Sequence, residues 1–474
     1  MYSKYSRRKF LGQLSCAAIG ANTLLNTIVN LNLANTVVAK RALFNNDYKA
    51  LVCILMAGGA DSFNMLVPKG DAEHAEYATV RGALTLGKDS LLPITPNTSD
   101  GKEYGLHPSL TRIKTLFDNG NVAFAANVGT LQGPTTVSDY TNKINLPLGL
   151  FSHSDQLRQW QTSLPLDRKT IGWGGKMADV LASMNEHSNI SMTISLAGNS
   201  TFLNGNTVTN YVIHHKEDAA ANVHGSTGIG GLDLNRPDFI ARKAGVENIL
   251  STEYENLLRI AYRNTLSTAQ SRHDEFSSAI KAVPNFANPI AADIFSFGNN
   301  LKMVAKTIAS REVLKMNRQV FVVPFFGWDH HDEVLNNQAS MLNALDRGLG
   351  EFYTVLEELG VADKVTTFTA SEFGRTLSSN GNGSDHGWGG HSFIMGGAVN
   401  GKDIYGTYPD LFSGNSLDVG RGRLIPTMST DEYFAELALW FGVDKSELSL
   451  VLPNIANFYN TANSTPPVGF MHMT

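Results

Sequence analysis

The stretch Phe325–Glu333, FFGWDHHDE, sets two adjacent histidines among three acids, directly behind a run of apolar residues. Histidine is scarce here, with 13 in 474 residues. Two more motifs follow, SEFGRT at 371–376 and DHGWGGHSF at 385–393. Four histidines thus fall between residues 330 and 391, each near a carboxylate. Mixed imidazole and carboxylate donors suit Zn²⁺, Mn²⁺ and Mg²⁺ to different degrees. In GWDHHDE, a carboxylate and an imidazole two residues apart can converge on one ion from a turn. Asp329 and His331 are therefore candidate ligands, and His330 points away or supports them. Glu372 is a further candidate. Arg375, three residues on, can hold an anionic oxygen in its fork of donors or simply pair with Glu372. Asp385, His386 and His391 lie in a glycine-rich loop able to fold tightly around an ion.

Two earlier segments join this set. AGGADSF at 57–63 supplies Asp61, with Ser62 beside it. GLFSHSDQLRQWQ at 149–161 places Ser152, His153 and Ser154 just ahead of a helical pattern. Serine at such a position ordinarily caps the helix. It can also serve as a nucleophile, since a metal or the helix dipole would stabilise its alkoxide. The GxGxxG and GKS patterns of nucleotide cradles are absent.

These residues need elements to position them. YKALVCILMAGG reads as a buried strand at about 50–56 ending in a glycine turn. HPSLTRIKTLFDNG reads as a helix stopped at Gly120, followed by a strand at about 121–128. Ile190, Met192, Ile194 and Leu196 alternate like a further strand. Residues 236–318 carry apolar residues at helical spacing. RQVFVVPFF is a strand that ends at the histidine pair. Leu342, Leu345, Leu349, Phe352, Leu356 and Leu359 step by three and four, giving a helix with one apolar face and a stop at Gly360. KVTTFTA, 364–370, is a strand that ends at SEFGRT. Nearly continuous apolar strands separated by helices predict an α/β fold, with a central mostly parallel sheet covered by helices on both faces. Ligands in such sheets bind beyond the carboxyl ends of the strands. Asp61, Asp329 and Glu372 all fall at those ends.

Composition sets the outer bounds. The chain is 42% hydrophobic and 17% charged, with a net charge of −5. That is a globular composition with no basic excess for nucleic acid. The N-terminus reads SRRKFL at 6–11, a weakly apolar stretch, then VVA ending at Ala39. This fits a twin-arginine export signal over residues 1–39. It predicts export through the twin-arginine translocase to the periplasm or beyond, of a protein already folded and able to carry its metal. Of the two cysteines, Cys16 lies within the signal, and Cys53 reads as a small buried hydrophobe. Past the signal no segment spans a bilayer, so no stable membrane anchor is expected. Residues 43–462 read as one domain, with 199–235 a polar insertion.

Taken in order, LMAGGADSFNMLVP, HPSL, SHSDQ, GWDHH, SEFGRT, DHGWGGHSFIMGGAVNG and IYG resemble the twin-arginine-exported bacterial family termed domain of unknown function 1501. That family is grouped with the alkaline phosphatase and sulfatase superfamily. The resemblance spans essentially the whole mature chain. It implies an alkaline-phosphatase-like fold with one or two divalent ions, Zn, Mn or Mg, at the strand ends. On this resemblance Asp61 matches a metal-binding acid closing the first strand. Ser152 matches the nucleophile, with Ser62 as runner-up. Asp329 and His331 match central ligands, and His386 or His391 the late histidine. The chain departs from the pattern at Glu372-Phe373, where an Asp-His pair is usual; Phe373 cannot ligate, leaving Asp385 or His153 as a replacement. The implied activity is hydrolysis of phosphate or sulfate esters, on small molecules or polysaccharides. The contrasting expectation is a non-catalytic binding or assembly protein on a degenerate scaffold of the same kind.

Overall fold

The computed structural model describes residues 47–186, 189–215 and 237–473. The export signal expected at 1–39 and most of the polar 199–235 stretch lie outside the described residues.

Nine strands form the main sheet. From one edge the order is Ile404–Tyr405, Val122–Gly129, Gly390–Met395, Val365–Ala370, Lys49–Ala57, Arg318–Phe326, Thr193–Ser195 and Tyr211–Val212; Met428–Ser429 also pairs with Val122–Gly129. Only Gly390–Met395 runs against its neighbours, and the other pairings are parallel. The fold is therefore the α/β class expected, with a mostly parallel sheet.

The first strand shows why its sequence is apolar at every position. Ala50, Val52, Ile54 and Met56 enter one core, while Leu51, Cys53 and Leu55 enter the other. A strand alternates its side chains between two faces, and here both faces are buried. Helices Thr111–Asp118, Phe297–Ala309 and Val334–Glu358 supply the first core. Helices Trp173–Val180 and Thr430–Phe441 supply the second. Among the described residues, no helix is long and apolar enough to cross a membrane.

Two expectations need adjusting. The strand expected over Ile190–Leu196 pairs only at Thr193–Ser195. Ile190 and Ile194 enter one core but Met192 enters the other, so the stretch is not one alternating ribbon. The helical region resolves into Pro237–Ser251, Leu257–Lys281 and Phe297–Ala309.

Register decides what meets at the sheet's edge. Ala57 lies beside Phe326, and Leu55 beside Ala370. Three adjacent parallel strands thus end at nearly one level, releasing Gly58, Gly327 and Ser371 into a common region. Gly58 adopts φ +123°, and a Cβ there would stand 2.4 Å from the Asp329 backbone nitrogen. Only glycine allows both that conformation and that approach.

Two histidines sit inside the fold rather than at this edge. His391, on the Gly390–Met395 strand, stacks on Tyr408 at 4.7 Å and meets Phe63 edge-on at 4.9 Å. Burial pushes its pKa down to about 3, and that of buried His107 down to about 4. The unfolded chain takes up these protons near pH 6.5, whereas the folded chain resists until far lower. The unfolded state therefore binds more protons below pH 6.5, and stability falls as pH drops from there toward 4. The expected loss is on the order of 1 kcal/mol per histidine per pH unit. Urea midpoints measured in chelator at pH 7.5 and pH 5 test this, and equal midpoints would contradict it.

Candidate metal centre

Asp329 stands at the middle of the strand-end cluster. It follows Arg318–Phe326 by a turn through Gly327 and Trp328. Trp328 is fully buried and donates its N–H to the Ala57 carbonyl, which ties this turn to the first strand. Three imidazoles face the Asp329 carboxylate. His153 Nε2 is 3.4 Å from Oδ2, His331 Nε2 is 3.1 Å from Oδ1, and His386 Nε2 is 3.4 Å from Oδ1. His331 Nε2 and His386 Nε2 are 3.0 Å apart. Donor atoms on His153, Asp329 and His386 all lie within 4.8 Å of one another. In a tetrahedral site with bonds near 2.0–2.1 Å, neighbouring donors stand about 3.3 Å apart. The four distances above, 3.0 to 3.4 Å, lie near that value, while His331 stands outside the group of three whose donors are all within 4.8 Å of one another.

The other nitrogen of each ring explains which atom faces inward. His153 Nδ1 is 3.0 Å from Glu372 Oε1, His331 Nδ1 is 3.3 Å from Asp385 Oδ1, and His386 Nδ1 is 2.7 Å from the Phe151 carbonyl. Each of these oxygens is an acceptor, so each Nδ1 carries the hydrogen. The three Nε2 lone pairs then point at a carboxylate and at one another. Such an arrangement is repulsive unless a cation or shared protons occupy its centre. Protons fit poorly, since two nitrogens 3.0 Å apart share at most one. Burial, with the Arg375 charge, holds His386 below the usual histidine pKa, against the pull of its Phe151 hydrogen bond. Outward donation to oxygen by metal-ligating histidines is the common supporting pattern. The donor set therefore fits a divalent cation.

Charge is managed by Arg375. Its side chain is fully buried. Nε donates to the Gly59 carbonyl at 2.7 Å and Nη1 to the Ser384 carbonyl at 2.9 Å. Nη2 donates to the Gly58 carbonyl at 2.5 Å and to Asp329 Oδ1. Burial pushes the Asp329 carboxyl up. The hydrogen bond and charge of Arg375 more than reverse this and hold it below the usual carboxylate range. Asp385 is likewise held low: Asn380 and Arg421, followed by His331, outweigh its burial.

The sequence-predicted residues divide into two groups. Asp329, His331, Glu372, Asp385 and His386 meet in this cluster, Glu372 and Asp385 as acceptors behind the histidines. Glu372 Oε1 also takes the Gly58 N–H at 2.8 Å. Asp61, Ser62 and His391 do not reach it. Asp61 is buried and pairs with Arg81 at 2.7 Å, taking the Ser384 hydroxyl at 3.0 Å. Ser62 is buried with its Oγ accepting the His391 N–H at 2.7 Å. Arg375 is where a clamp is needed, with every guanidinium nitrogen on a protein oxygen, rather than free for a substrate. Ser152 precedes His153 at the N-cap of helix His153–Thr162, with its Oγ 3.2 Å from Ser154 Oγ.

His153, named in the sequence only as a replacement ligand, is a central member. Its signal was the SHSDQ motif. Phe373, which cannot ligate, lies against the site instead: its ring centroid is 4.6 Å from His386 and 4.9 Å from His153. The Phe151 carbonyl had no sequence signal. Phe151 adopts φ +69°, a strained conformation for a bulky residue, of a kind that clusters at functional sites. The cluster is open on one side, with the side chains of Asp329 and His331 each 45% exposed.

Residues 48–420 match the family model described as Protein of unknown function (DUF1501). The chain belongs to that family. No curated protein matches this DUF1501 member. Among solved structures it is similar to Ps i-CgsB in complex with k-i-k-neocarrahexaose, at 11% identity and TM-score 0.33, covering 88% of this chain and 78% of that one. It is also similar to the PsFucS1 sulfatase from Pseudoalteromonas sp., at 10% identity and TM-score 0.34, covering 88% and 72%. A third is the lipoteichoic acid synthase LtaP from Listeria monocytogenes, at 8% identity and TM-score 0.30, covering 80% and 76%.

The Asp61–Arg81 pair gives a clean test of Asp61. Removing one partner of a buried ion pair leaves an unpaired buried charge, which costs about 3–5 kcal/mol. Asp61→Ala and Arg81→Ala should lose similar stability by denaturant titration, and both should keep the metal content of wild type per folded molecule. Loss of metal in Asp61→Ala alone would make Asp61 a ligand.

Proposed function

We propose that this DUF1501 member is an exported, divalent-metal-dependent hydrolase of phosphate or sulfate esters on an alkaline-phosphatase-like scaffold. The observation that carries the reading is the convergence of three Nε2 lone pairs on the Asp329 carboxylate, at an opening to solvent. His153, Asp329, His331 and His386 would hold the ion. Three imidazoles with one carboxylate suit Zn²⁺ or Mn²⁺ better than Mg²⁺, which prefers oxygen donors. When bound, such an ion polarises an ester oxygen and stabilises an attacking oxygen.

The chain's own residues do the rest. Glu372, Asp385 and the Phe151 carbonyl keep the three rings in one tautomer. Arg375 offsets the Asp329 charge from inside. Ser152 is the nucleophile in this reading, because it stands beside His153 at a helix N-terminus, where developing negative charge is favoured. Its Oγ gives up its proton to solvent and bonds to phosphorus or sulfur, while the bond to the ester oxygen breaks and the departing alcohol takes a proton from solvent. Water then releases phosphate or sulfate and restores the serine. Export by the twin-arginine route, signalled by Arg7 and Arg8, would bring the enzyme to small-molecule or polysaccharide esters outside the cytoplasm.

Three measurements test this reading. Purified wild type should hold about one divalent ion by elemental analysis, as one donor set of this kind requires. His153→Ala or His386→Ala should lower both that content and the melting temperature, because a metal bound only by the folded state stabilises it. A wild type that stays metal-free after incubation with Zn²⁺ or Mn²⁺ refutes the site. In a screen of aryl phosphates and sulfates, Ser152→Ala should abolish turnover while keeping the metal. Full activity in that variant would shift the attack to water, and a metal-loaded wild type that cleaves no ester would refute hydrolysis. Replacing Arg7 and Arg8 with lysines should leave uncut precursor in the cytoplasm, whereas normal export of that variant would refute the signal.

A further inference from the structure

A hydrolase of anionic esters needs a cation free to meet the non-reacting oxygens, and Arg375 is fully committed to the protein. Arg423 is not. Its Nε donates to the His386 carbonyl at 3.1 Å, and its guanidinium lies 4.8 Å above the Phe151 ring. These two contacts hold the group at its inner nitrogen and on one face. Its two terminal nitrogens have no partner among the described residues, and the side chain is only half-buried. The residues that seat it are those that build the site. His386 is a proposed ligand, and Phe151 supplies the carbonyl that orients the His386 ring. Phe151 also directly precedes Ser152.

The loop carrying Arg423 is itself tied down. Asp418 Oδ1 accepts the N–H groups of Gly420 and Gly422 at 2.8 and 2.9 Å, and the Arg423 N–H meets the Gly420 carbonyl at 3.3 Å. Its neighbour Arg421 is already engaged, with Nη1 2.6 Å from Asp385 Oδ2. Arg423 is thus a guanidinium held at its inner nitrogen and on its flat face, offering its outer edge.

We infer that Arg423 is the residue that grips the tetrahedral oxyanion of the substrate, using the two N–H groups of its outer edge. This rests on the hydrolase reading above and gives it a specificity: the ester must carry charged oxygens, so neutral carboxylic esters are excluded. A planar fork matches two oxygens of phosphate or sulfate at once, which a lysine ammonium cannot reproduce. Stacking on Phe151 pre-orders the group, so little side-chain freedom is lost on binding.

The test uses metal-loaded full-length protein and reads binding separately from turnover. Inorganic phosphate and inorganic sulfate are titrated calorimetrically into wild type, Arg423→Ala and Arg423→Lys, alongside metal analysis and thermal melts. Wild type should bind at least one of the two anions, and whichever binds more tightly identifies the ester class. Arg423→Ala should weaken that binding about 10- to 100-fold, the usual weight of charge-assisted hydrogen bonds. Metal content and melting temperature should stay as in wild type. Arg423→Lys should fall between the two, since charge returns without the fork. For turnover, KM should rise more than kcat falls. Unchanged anion affinity in Arg423→Ala overturns the assignment while leaving the hydrolase reading intact if wild type still cleaves esters. A wild type that binds neither anion and cleaves no ester removes both. Loss of metal or of fold in Arg423→Ala, with full anion affinity in Arg423→Lys, makes the residue structural and overturns the assignment as well.

Discussion

The whole strand-end region hangs on one buried guanidinium. Arg375 draws together the carbonyls of Gly58, Gly59 and Ser384 and the carboxylate of Asp329. These come from the ends of two strands and from the short hairpin between Arg375–Ser379 and Ser384–His386. Carbonyls that leave the end of a parallel sheet have no ladder partner, and burying them unpaired is costly. A single planar cation with five donors meets several of them at once. It also supplies the positive charge that lets a carboxylate sit among lone pairs. Without Arg375, Asp329 would lose the contact that fixes its position and holds its carboxyl below the usual range, and the imidazoles would lose the group they gather around.

A second layer turns position into chemistry. Each histidine is fixed by what lies behind it: a carboxylate for His153, another for His331, a strained backbone carbonyl for His386. The hairpin that carries His386 approaches the histidine pair closely. A Cβ at Gly383 would stand 2.2 Å from the His331 carbonyl carbon and oxygen. That glycine is therefore a spacing device, as the sequence NGNGSDHGWGG suggested by its composition. Buried Phe373 adds an apolar wall against two of the rings, while Asp329 and His331 are half exposed. The site is thus rigid behind and open in front.

The sheet was legible in the sequence because its strands are apolar on both faces and its helices are periodic. The first strand, the helix stop at Gly120 and the long helix ending at Gly360 all announce themselves through local patterns. The metal cluster was partly legible, because three of its motifs concentrate rare residue types at strand ends. What local reading could not give was partnership. Asp61 and His391 have the right residue types and the right neighbourhoods, yet Arg81 claims one and Tyr408 stacks against the other. Both partners lie outside the motifs themselves, and no spacing pattern in the sequence links them. Arg375 looked available because its acceptors are backbone carbonyls, which no sequence displays. His153 carries a weak signal because a histidine beside a serine reads first as part of a helix cap. The left-handed Phe151 had no signal, since the conformation is imposed by the fold rather than favoured by the residue.

The span of chain between the parts of the cluster has its own consequence. His153 and Glu372 are 219 residues apart, and His386 reaches back 235 residues to Phe151. Contacts of that range form only after the intervening strands have found their places, because closing such loops costs entropy before any local gain is returned. No fragment of the chain, and no partly formed sheet, contains this set of donors. An ion bound there would act as a seal on a finished molecule rather than as a nucleus for folding. Metal occupancy would then double as a record that the chain had folded correctly.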